Sequence, residues 1–152
     1  MTAFIQEKNY SCGASAVRNV IESLNGIVPS EKYVRRICKT TIQGTSDKGL
    51  VKGLTKLLYH TEEFYTENEN TFKNKLIKIL KDGKKAITII QGSSHWIAVK
   101  GYENKKIIFV DSDFKKAEQL FTVKEFLLIS KNIDKINKKQ FYYMIIVSDI
   151  TE

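Results

Sequence analysis

The sequence has few of the residues that hold several classes of protein together. Its 152 residues include two cysteines, Cys12 and Cys38, and two histidines, His60 and His95. Two cysteines do not make a disulfide framework, and these histidines are too scattered in the sequence to suggest a zinc site. We therefore expect free thiols, no metal and no other cofactor.

The sequence also lacks a long apolar run. No stretch reaches the ~18 residues that predict a transmembrane helix. The first residues do not join a basic region to an apolar stretch, as a secretory signal does. These absences predict a protein without a membrane span that is located in the cytoplasm. The length favours one domain over residues 1–152, and 42% of the residues are hydrophobic, which suits a globular core.

Arginine is scarce although the chain is basic. The formal net charge is +8, and of the 25 basic residues only Arg18, Arg35 and Arg36 are arginine. Proteins that read nucleic acids use arginine for many of their contacts, so this composition argues against a nucleic-acid partner. A solvated, lysine-rich surface is the plainer explanation of the charge.

Hydrophobic spacing divides the chain into a helical half and a strand-rich half. Apolar residues at three- and four-residue intervals predict helices over 12–24, 30–38, from 45 or 46 to 58, and over 72–80. Runs of β-branched and aromatic residues predict strands over 85–91, 95–102, 106–111 and 140–147, with one more helix over 123–130. A hairpin turn is expected at Glu103-Asn104-Lys105. Helices followed by antiparallel strands predict an α+β fold.

Cys12 lies where the first helix is predicted to begin, directly before Gly13. At a helix start the free backbone N–H groups and the helix dipole favour an anion, which lowers a thiol pKa from its usual value of about 8.5. Gly13 adds no side-chain bulk beside the sulfur. A buried and inert cysteine is the alternative, and this pair of residues alone does not exclude it.

Three further side chains have the chemistry to work with this thiol. His95 begins an apolar strand and can act as a base, and Asp111 ends the next strand and can orient the imidazole. A hairpin that turns near Asn104 would pair positions 95 and 111. Gln6, six residues before Cys12, carries an amide that can stabilise an oxyanion. Each has a plainer role when taken singly, as a surface glutamine, a core histidine or a turn aspartate. Their combined spacing favours a catalytic triad with an oxyanion glutamine.

These motifs resemble those of the double-glycine leader peptidases, the papain-like domains that process bacteriocin precursors. The motifs are Gln6 before Cys12-Gly13-Ala14, Gly44-Thr45-Ser46 before the third helix, and His95-Trp96-Ile97-Ala98-Val99 followed by Asp111. The resemblance spans about residues 4 to 112. It implies a papain-like fold, in which a helix carrying the nucleophile packs on an antiparallel sheet carrying the histidine and the aspartate. It also implies a peptide or protein substrate, cut after small residues such as glycine.

Two positions depart from the family pattern. Ser112 stands where the family usually has a proline after the aspartate, and Ser11 where it often has an acidic residue before the cysteine. The best-known members belong to transporters with an ATPase. The 152 residues contain no Gly-x-x-x-x-Gly-Lys phosphate loop, so the resemblance is to a stand-alone member.

Three functions stay open on the sequence. The first is a cysteine peptidase. The second is another thiol acyl-transfer enzyme on the same scaffold, such as a transpeptidase, amidase, deamidase or acyltransferase. Because all of these form an acyl-enzyme, no sequence feature separates them from a peptidase. The third is a non-catalytic peptide-binding module, and the intact Cys12, His95 and Asp111 argue against it.

Overall fold

Helices dominate the first part of the chain and strands the second in the computed structural model. The structure describes residues 3–90, 92, 95–113 and 118–150. Within these ranges the helices are α1 (Cys12–Ser23), α2 (Glu31–Ile37), α3 (Asp47–Lys56), α4 (Glu69–Lys81) and α5 (Val123–Ser130). The strands are β1 (Tyr59–Thr66), β2 (Lys85–Ile90), β3 (His95–Glu103), β4 (Lys106–Val110), β5 (Glu118–Thr122), β6 (Asn132–Ile133) and β7 (Gln140–Asp149). No helix in the described ranges is long and apolar enough to cross a membrane.

Polar side chains start four of these helices, because each accepts a hydrogen bond from a backbone N–H of the first turn. The capping residues are Ser30 for α2, Ser46 for α3, Asn68 for α4 and Thr122 for α5. The Asn68 cap begins α4 three residues before the predicted Phe72. The prediction that the third helix extends to residue 58 was wrong. The helix ends at Lys56, and Leu58 has a φ of +69° and is 73% exposed.

The strands form an antiparallel sheet in the order β1-β7-β2-β3-β4-β5, and β6 pairs with β7. Four of the strands, β2, β3, β4 and β7, match the predicted ones. Gln91, the last residue of the predicted strand 85–91, lies outside the described residues. Sequence analysis did not predict the two-residue β6, nor β1 and β5, which end the strand order. Neither β1 nor β5 contains a buried residue, so the apolar pattern that reveals a strand is weak in both.

Helices cover both faces of the sheet, and the predicted α+β class is confirmed. Alternate residues of each central strand point to opposite faces. Ile87 of β2 packs with α1, α2 and α3, whereas its neighbour Ala86 packs with α4 and α5. On the second face the rings of Phe72 and Tyr142 stack at 5.0 Å with both side chains fully buried. A stacked pair of this kind contributes roughly 1 kcal/mol beyond its buried area.

The hairpin of β3 and β4 fixes where the sheet presents the two candidate catalytic residues. Asn104 and Lys105 both have positive φ, the geometry of a tight hairpin turn whose twist matches the flanking strands. A bulge between Val99 and Gly101 then shifts the register, and the ladder ends with Ala98 opposite Val110. Positions 95 and 111 are therefore not the direct pair that the sequence suggested. The hairpin turns between Asn104 and Lys105, whereas that pairing needs a turn centred on residue 103, and the bulge offsets only one residue of the difference.

The contact between α2 and α3 requires glycine at position 49. A methyl group on Gly49 would overlap the backbone carbonyl oxygen of Cys38, which cannot move aside without shifting the end of α2. We expect Gly49→Ala to lower the free energy of unfolding by about 1–3 kcal/mol, despite a gain in helix propensity of about 1 kcal/mol. Urea denaturation measures this loss.

The matched control is Lys52→Ala, since Lys52 is exposed on the same helix. This change should stay within about 0.5 kcal/mol of wild type. A Gly49→Ala protein as stable as the control would show that the two helices are free to separate.

Candidate active site

Cys12 is the first residue of α1, and the loop before it leaves the helix start open. Ser11 does not cap the helix with its side chain. Its hydroxyl instead accepts from the backbone N–H of Lys8 and donates to the carbonyl oxygen of Lys8, both at 2.9 Å. The first backbone N–H groups of α1 thus remain beside the Cys12 sulfur, where they can bind an anion.

Thr45 packs directly against the residue that follows the cysteine. A β-carbon on Gly13 would lie 2.9 Å from Cβ of Thr45, so position 13 has no room for a side chain. The indole N–H of Trp96 donates to the carbonyl oxygen of Thr45 at 2.9 Å, and the hydroxyl groups of Thr40 and Thr45 lie 2.7 Å apart. These contacts fix the chain before α3 as a wall next to the thiol.

The side chains of His95 and Asp111 are in contact, as the sequence suggested, although the two residues are not directly opposite each other in the sheet. His95 begins β3, and Asp111 follows the last paired residue of β4. Nε2 of the imidazole lies 2.6 Å from Oδ1 of the carboxylate, and both side chains are less than 10% exposed. The same Oδ1 accepts from the backbone N–H of Asp113 at 3.1 Å. This bond fixes the orientation of the carboxylate.

The surroundings of His95 favour the charged imidazolium. Burial by itself disfavours the charge and lowers the pKa. The hydrogen bonds with Asp111 and Cys12, together with the negative charges of these two groups, outweigh burial and raise the pKa of His95 from 6.5 to about 10. Because Nε2 faces Asp111, Nδ1 is the ring nitrogen left for the thiol. The imidazole therefore lies between an acid and Cys12.

Gln6 reaches the same region from the N-terminal segment. Its backbone N–H donates to the carbonyl oxygen of Ser112 at 3.2 Å, and its side-chain Oε1 accepts from the Ser112 hydroxyl at 3.0 Å. Its Nε2 donates to the carbonyl oxygen of Lys8 at 2.8 Å. The structure thus joins Gln6 to the residue after Asp111, a contact that the sequence did not suggest.

Buried polar groups hold the segment on either side of Gln6. The side chain of Asn19, on α1, accepts from the backbone N–H of Phe4 at 2.8 Å and donates to its carbonyl oxygen at 3.0 Å. The fully buried carboxylate of Glu31 accepts from the backbone N–H of Glu7 at 3.1 Å. Arg35 pairs with this carboxylate at 3.4 Å, which offsets the cost of burying it.

A cleft of about 540 Å³ opens on one side of Cys12. Its walls are residues 43–47 before and at the start of α3, and a group of largely aromatic side chains from the sheet. That group consists of Tyr65, Ile89, Trp96, Phe141 and Tyr143. Tyr143 is held in place by a hydrogen bond from its hydroxyl to Glu63, and its ring meets that of Trp96 edge-on at 6.1 Å. Apolar surface predominates in the cleft, and polar residues before α3 line one side of it.

The remaining cysteine and histidine lie apart from this site. Cys38 is 1% exposed, and burial raises the pKa of its thiol to about 12. His60 is exposed on the edge strand β1. No group of three or more potential metal ligands occurs in the part of the chain that the structure describes.

Sequence reasoning missed part of the site. Ser112 appeared only as a departure from a pattern, and nothing local shows that it contacts a residue 106 positions earlier. Tyr143 looked like an ordinary strand residue, although it lines the cleft. Trp96 appeared only within a motif, although it belongs to both the core and the cleft, being 6% exposed and bonded to the wall at Thr45.

The fold and this arrangement of side chains place the protein in the class of papain-like thiol enzymes. Residues 2–129 match the Peptidase C39 family, and the chain belongs to that family of cysteine peptidases. The resemblance to bacteriocin-processing peptidases and the expected class of enzyme are thereby confirmed.

Solved structures share the fold over nearly the whole chain. The peptidase domain of Streptococcus ComA, a bi-functional ABC transporter involved in a quorum-sensing pathway, has a TM-score of 0.73 and 21% identity, covering 96% of each chain. A double glycine motif protease from an AMS/PCAT transporter, in complex with the leader peptide, has a TM-score of 0.66 and 18% identity, covering 94% of this chain and 90% of that one. The peptidase domain of Streptococcus mutans ComA has a TM-score of 0.62 and 18% identity, covering 97% and 99%. A comparison with curated proteins finds no match.

Protonation of His95 should be coupled to folding. Because its pKa in the folded protein is raised to about 10, the imidazolium contributes stability that is fully present below about pH 6.5 and is lost as the pH rises through about 10. Asp111→Asn removes one charge that holds the imidazolium. The difference in unfolding free energy between wild type and this variant should be widest near pH 6 and narrow towards pH 10.

Urea denaturation at several pH values measures this difference. Asp113→Asn is the control, since Asp113 is an exposed acid in the same turn and its backbone, not its carboxylate, contacts Asp111. A difference for Asp111→Asn that does not change between about pH 6 and pH 10 would contradict a charged pair.

Proposed function

We propose that this protein cleaves peptide bonds with Cys12 as the nucleophile and His95 as the base. The observation that carries the proposal is the buried 2.6 Å contact of Asp111 with an imidazole whose pKa the neighbouring Cys12 also helps to raise. The imidazole takes the thiol proton, and the sulfur attacks the peptide carbonyl carbon. The imidazolium then gives its proton to the leaving amine, which leaves an acyl-enzyme.

Water completes the reaction. His95, neutral again, takes a proton from water as the water oxygen attacks the acyl carbon, and the sulfur leaves with that proton. Asp111 orients the imidazole through Nε2 and stabilises its charged form, so that Nδ1 faces the thiol. No metal or cofactor takes part in this scheme.

Gln6 is our candidate for the oxyanion hole. Its amide and the backbone N–H of Cys12, at the start of α1, are the donors expected to stabilise the negative oxygen of the tetrahedral intermediate. The geometry that supports this role is the anchoring of Gln6 beside the turn that carries Asp111.

The cleft suits a peptide whose residues next to the cut bond are small. The wall at Thr45 lies against α1 at Gly13, the residue that follows the candidate nucleophile. One relative of the same fold is a double glycine motif protease in complex with the leader peptide. We therefore propose a peptide or protein substrate cut after small residues, with glycine favoured. We also propose a single domain over residues 1–152 and a cytoplasmic location, where a reducing environment keeps Cys12 as a thiol.

Cys12, and not Cys38, should be the reactive thiol. His95 lies beside Cys12 and can act as its base, whereas Cys38 is buried and the pKa of its thiol is raised to about 12. Iodoacetamide at mildly acidic pH should modify Cys12 at least about tenfold faster, and His95→Ala should slow that reaction. Intact mass and peptide mapping identify the modified residue. His60→Ala is the matched control and should leave the rate unchanged, while equal rates for the two cysteines would reject the assignment.

A peptide-library digest tests the proposed function. Wild type should cut after small residues, preferring glycine, and Cys12→Ala should not cut at all. Cleavage without a small-residue preference would reject the proposed specificity and keep the thiol mechanism. If no peptide is hydrolysed by protein whose Cys12 still reacts with iodoacetamide, then an acyl transferase or amidase replaces the peptidase.

A further inference from the structure

We propose that Ser112 is a positioning residue that sets the orientation of the Gln6 amide for the oxyanion hole. The inference rests on the proposed function, because it assigns a task to a residue next to the candidate catalytic acid. Ser112 is 3% exposed, so its hydroxyl has little access to water and depends on a partner within the protein.

Ser112 contacts Gln6 through both its main chain and its side chain. The carbonyl oxygen of Ser112 accepts from the Gln6 backbone N–H at 3.2 Å. The hydroxyl of Ser112 donates to the side-chain Oε1 of Gln6 at 3.0 Å. The first contact places the residue, and the second acts on the amide group itself.

A second contact makes the orientation of the amide unambiguous. The carbonyl oxygen of Lys8 accepts from Nε2 of Gln6 at 2.8 Å, and Ser11 holds that carbonyl through both its backbone N–H and its hydroxyl. A carbonyl oxygen can only accept, so a flipped amide would set Oε1 against the oxygen of Lys8. The Ser112 hydroxyl therefore secures the oxygen end while the nitrogen end faces Lys8.

This arrangement leaves one amide hydrogen for chemistry. A glutamine amide carries two N–H bonds, and among the described residues only Lys8 accepts from Nε2. With Oε1 and one N–H both engaged, the other N–H has a fixed direction before substrate arrives. A preorganised donor stabilises an oxyanion more than a mobile one, because no reorganisation is needed during the reaction.

A purely structural role for Ser112 has a distinguishable consequence. The N-terminal segment is already held by Asn19 at Phe4 and by Glu31 at Glu7, and the main-chain bond from Gln6 to Ser112 does not need a hydroxyl. Removing the hydroxyl should therefore leave the segment in place and free only the side-chain amide. Reactions that form an oxyanion should then suffer, and reactions that do not should be unaffected.

Two probes of Cys12 separate these cases. A peptide aldehyde, acetyl-Gly-glycinal, adds the thiol across its carbonyl: the sulfur bonds to carbon and the thiol proton goes to oxygen, so that this oxygen occupies the oxyanion position. Iodoacetamide alkylates the same sulfur with loss of iodide and forms no oxyanion. We expect Ser112→Ala to weaken aldehyde binding about tenfold, less than the ~100-fold effect of losing an oxyanion donor outright. The alkylation rate should stay within about twofold of wild type.

Three further variants make the test specific. Ser112→Thr keeps the hydroxyl and should restore aldehyde affinity. Ser130→Ala removes another buried serine hydroxyl, one that donates to Phe126 within α5, and should change neither probe. In a Gln6→Ala background, Ser112→Ala should have no additional effect, because the amide that it orients is already gone.

The results distinguish a failure of the positioning role from a failure of the proposed oxyanion site. Aldehyde affinity of Ser112→Ala equal to that of wild type, additive effects with Gln6→Ala, or an equal loss of alkylation would overturn the positioning role. A wild-type protein that is alkylated at Cys12 but forms no reversible aldehyde adduct would instead overturn the proposed oxyanion site, and the role of Ser112 with it. The measurements are inhibition or mass-detected adduct titration for the aldehyde, and timed mass spectrometry for iodoacetamide.

Discussion

The hydrogen bond between His95 and Asp111 is the interaction on which the rest of the site depends. At 2.6 Å and with both side chains buried, it holds an imidazole whose charge burial alone would oppose. Without the carboxylate, the cost of desolvating an imidazolium would leave the ring neutral and free to turn. The contact thus sets both the charge of His95 and the direction in which its second nitrogen faces, towards Cys12.

The hairpin that carries His95 and Asp111 also supports Gln6, the candidate oxyanion donor. Asp111 contacts His95, and the next residue, Ser112, holds Gln6 through main-chain and side-chain bonds. The candidate acid and the candidate oxyanion donor therefore share one short turn as their support. Because β3 and β4 lie inside the sheet and not at its edge, that turn is anchored by pairing on both sides.

Local patterns explain why much of this protein could be predicted. Helix periodicity, capping residues and β-branched runs depend on near neighbours, and they located the five helices and four of the strands. The edge strand β1 escaped because it has no buried residue to reveal its period. The bulge between Val99 and Gly101 escaped because it adds a residue without a sequence signal. The two strand ends still lie close enough for the side chains of His95 and Asp111 to meet. A contact across 106 residues, such as that of Gln6 with Ser112, has no local signature.

Buried charges in this basic protein occur with partners, and the partners decide where the site's segments lie. Lys100, at the bulge, pairs with Glu118 of β5 at 3.0 Å, and Glu31 pairs with Arg35 while it accepts from the backbone of Glu7. Ion pairs of this kind add little net stability, since the cost of desolvation nearly cancels the attraction. Removing one partner, however, leaves an uncompensated charge and is costly. Such pairs therefore act mainly by penalising other arrangements, which keeps the N-terminal segment and the hairpin in one relative position beside Cys12.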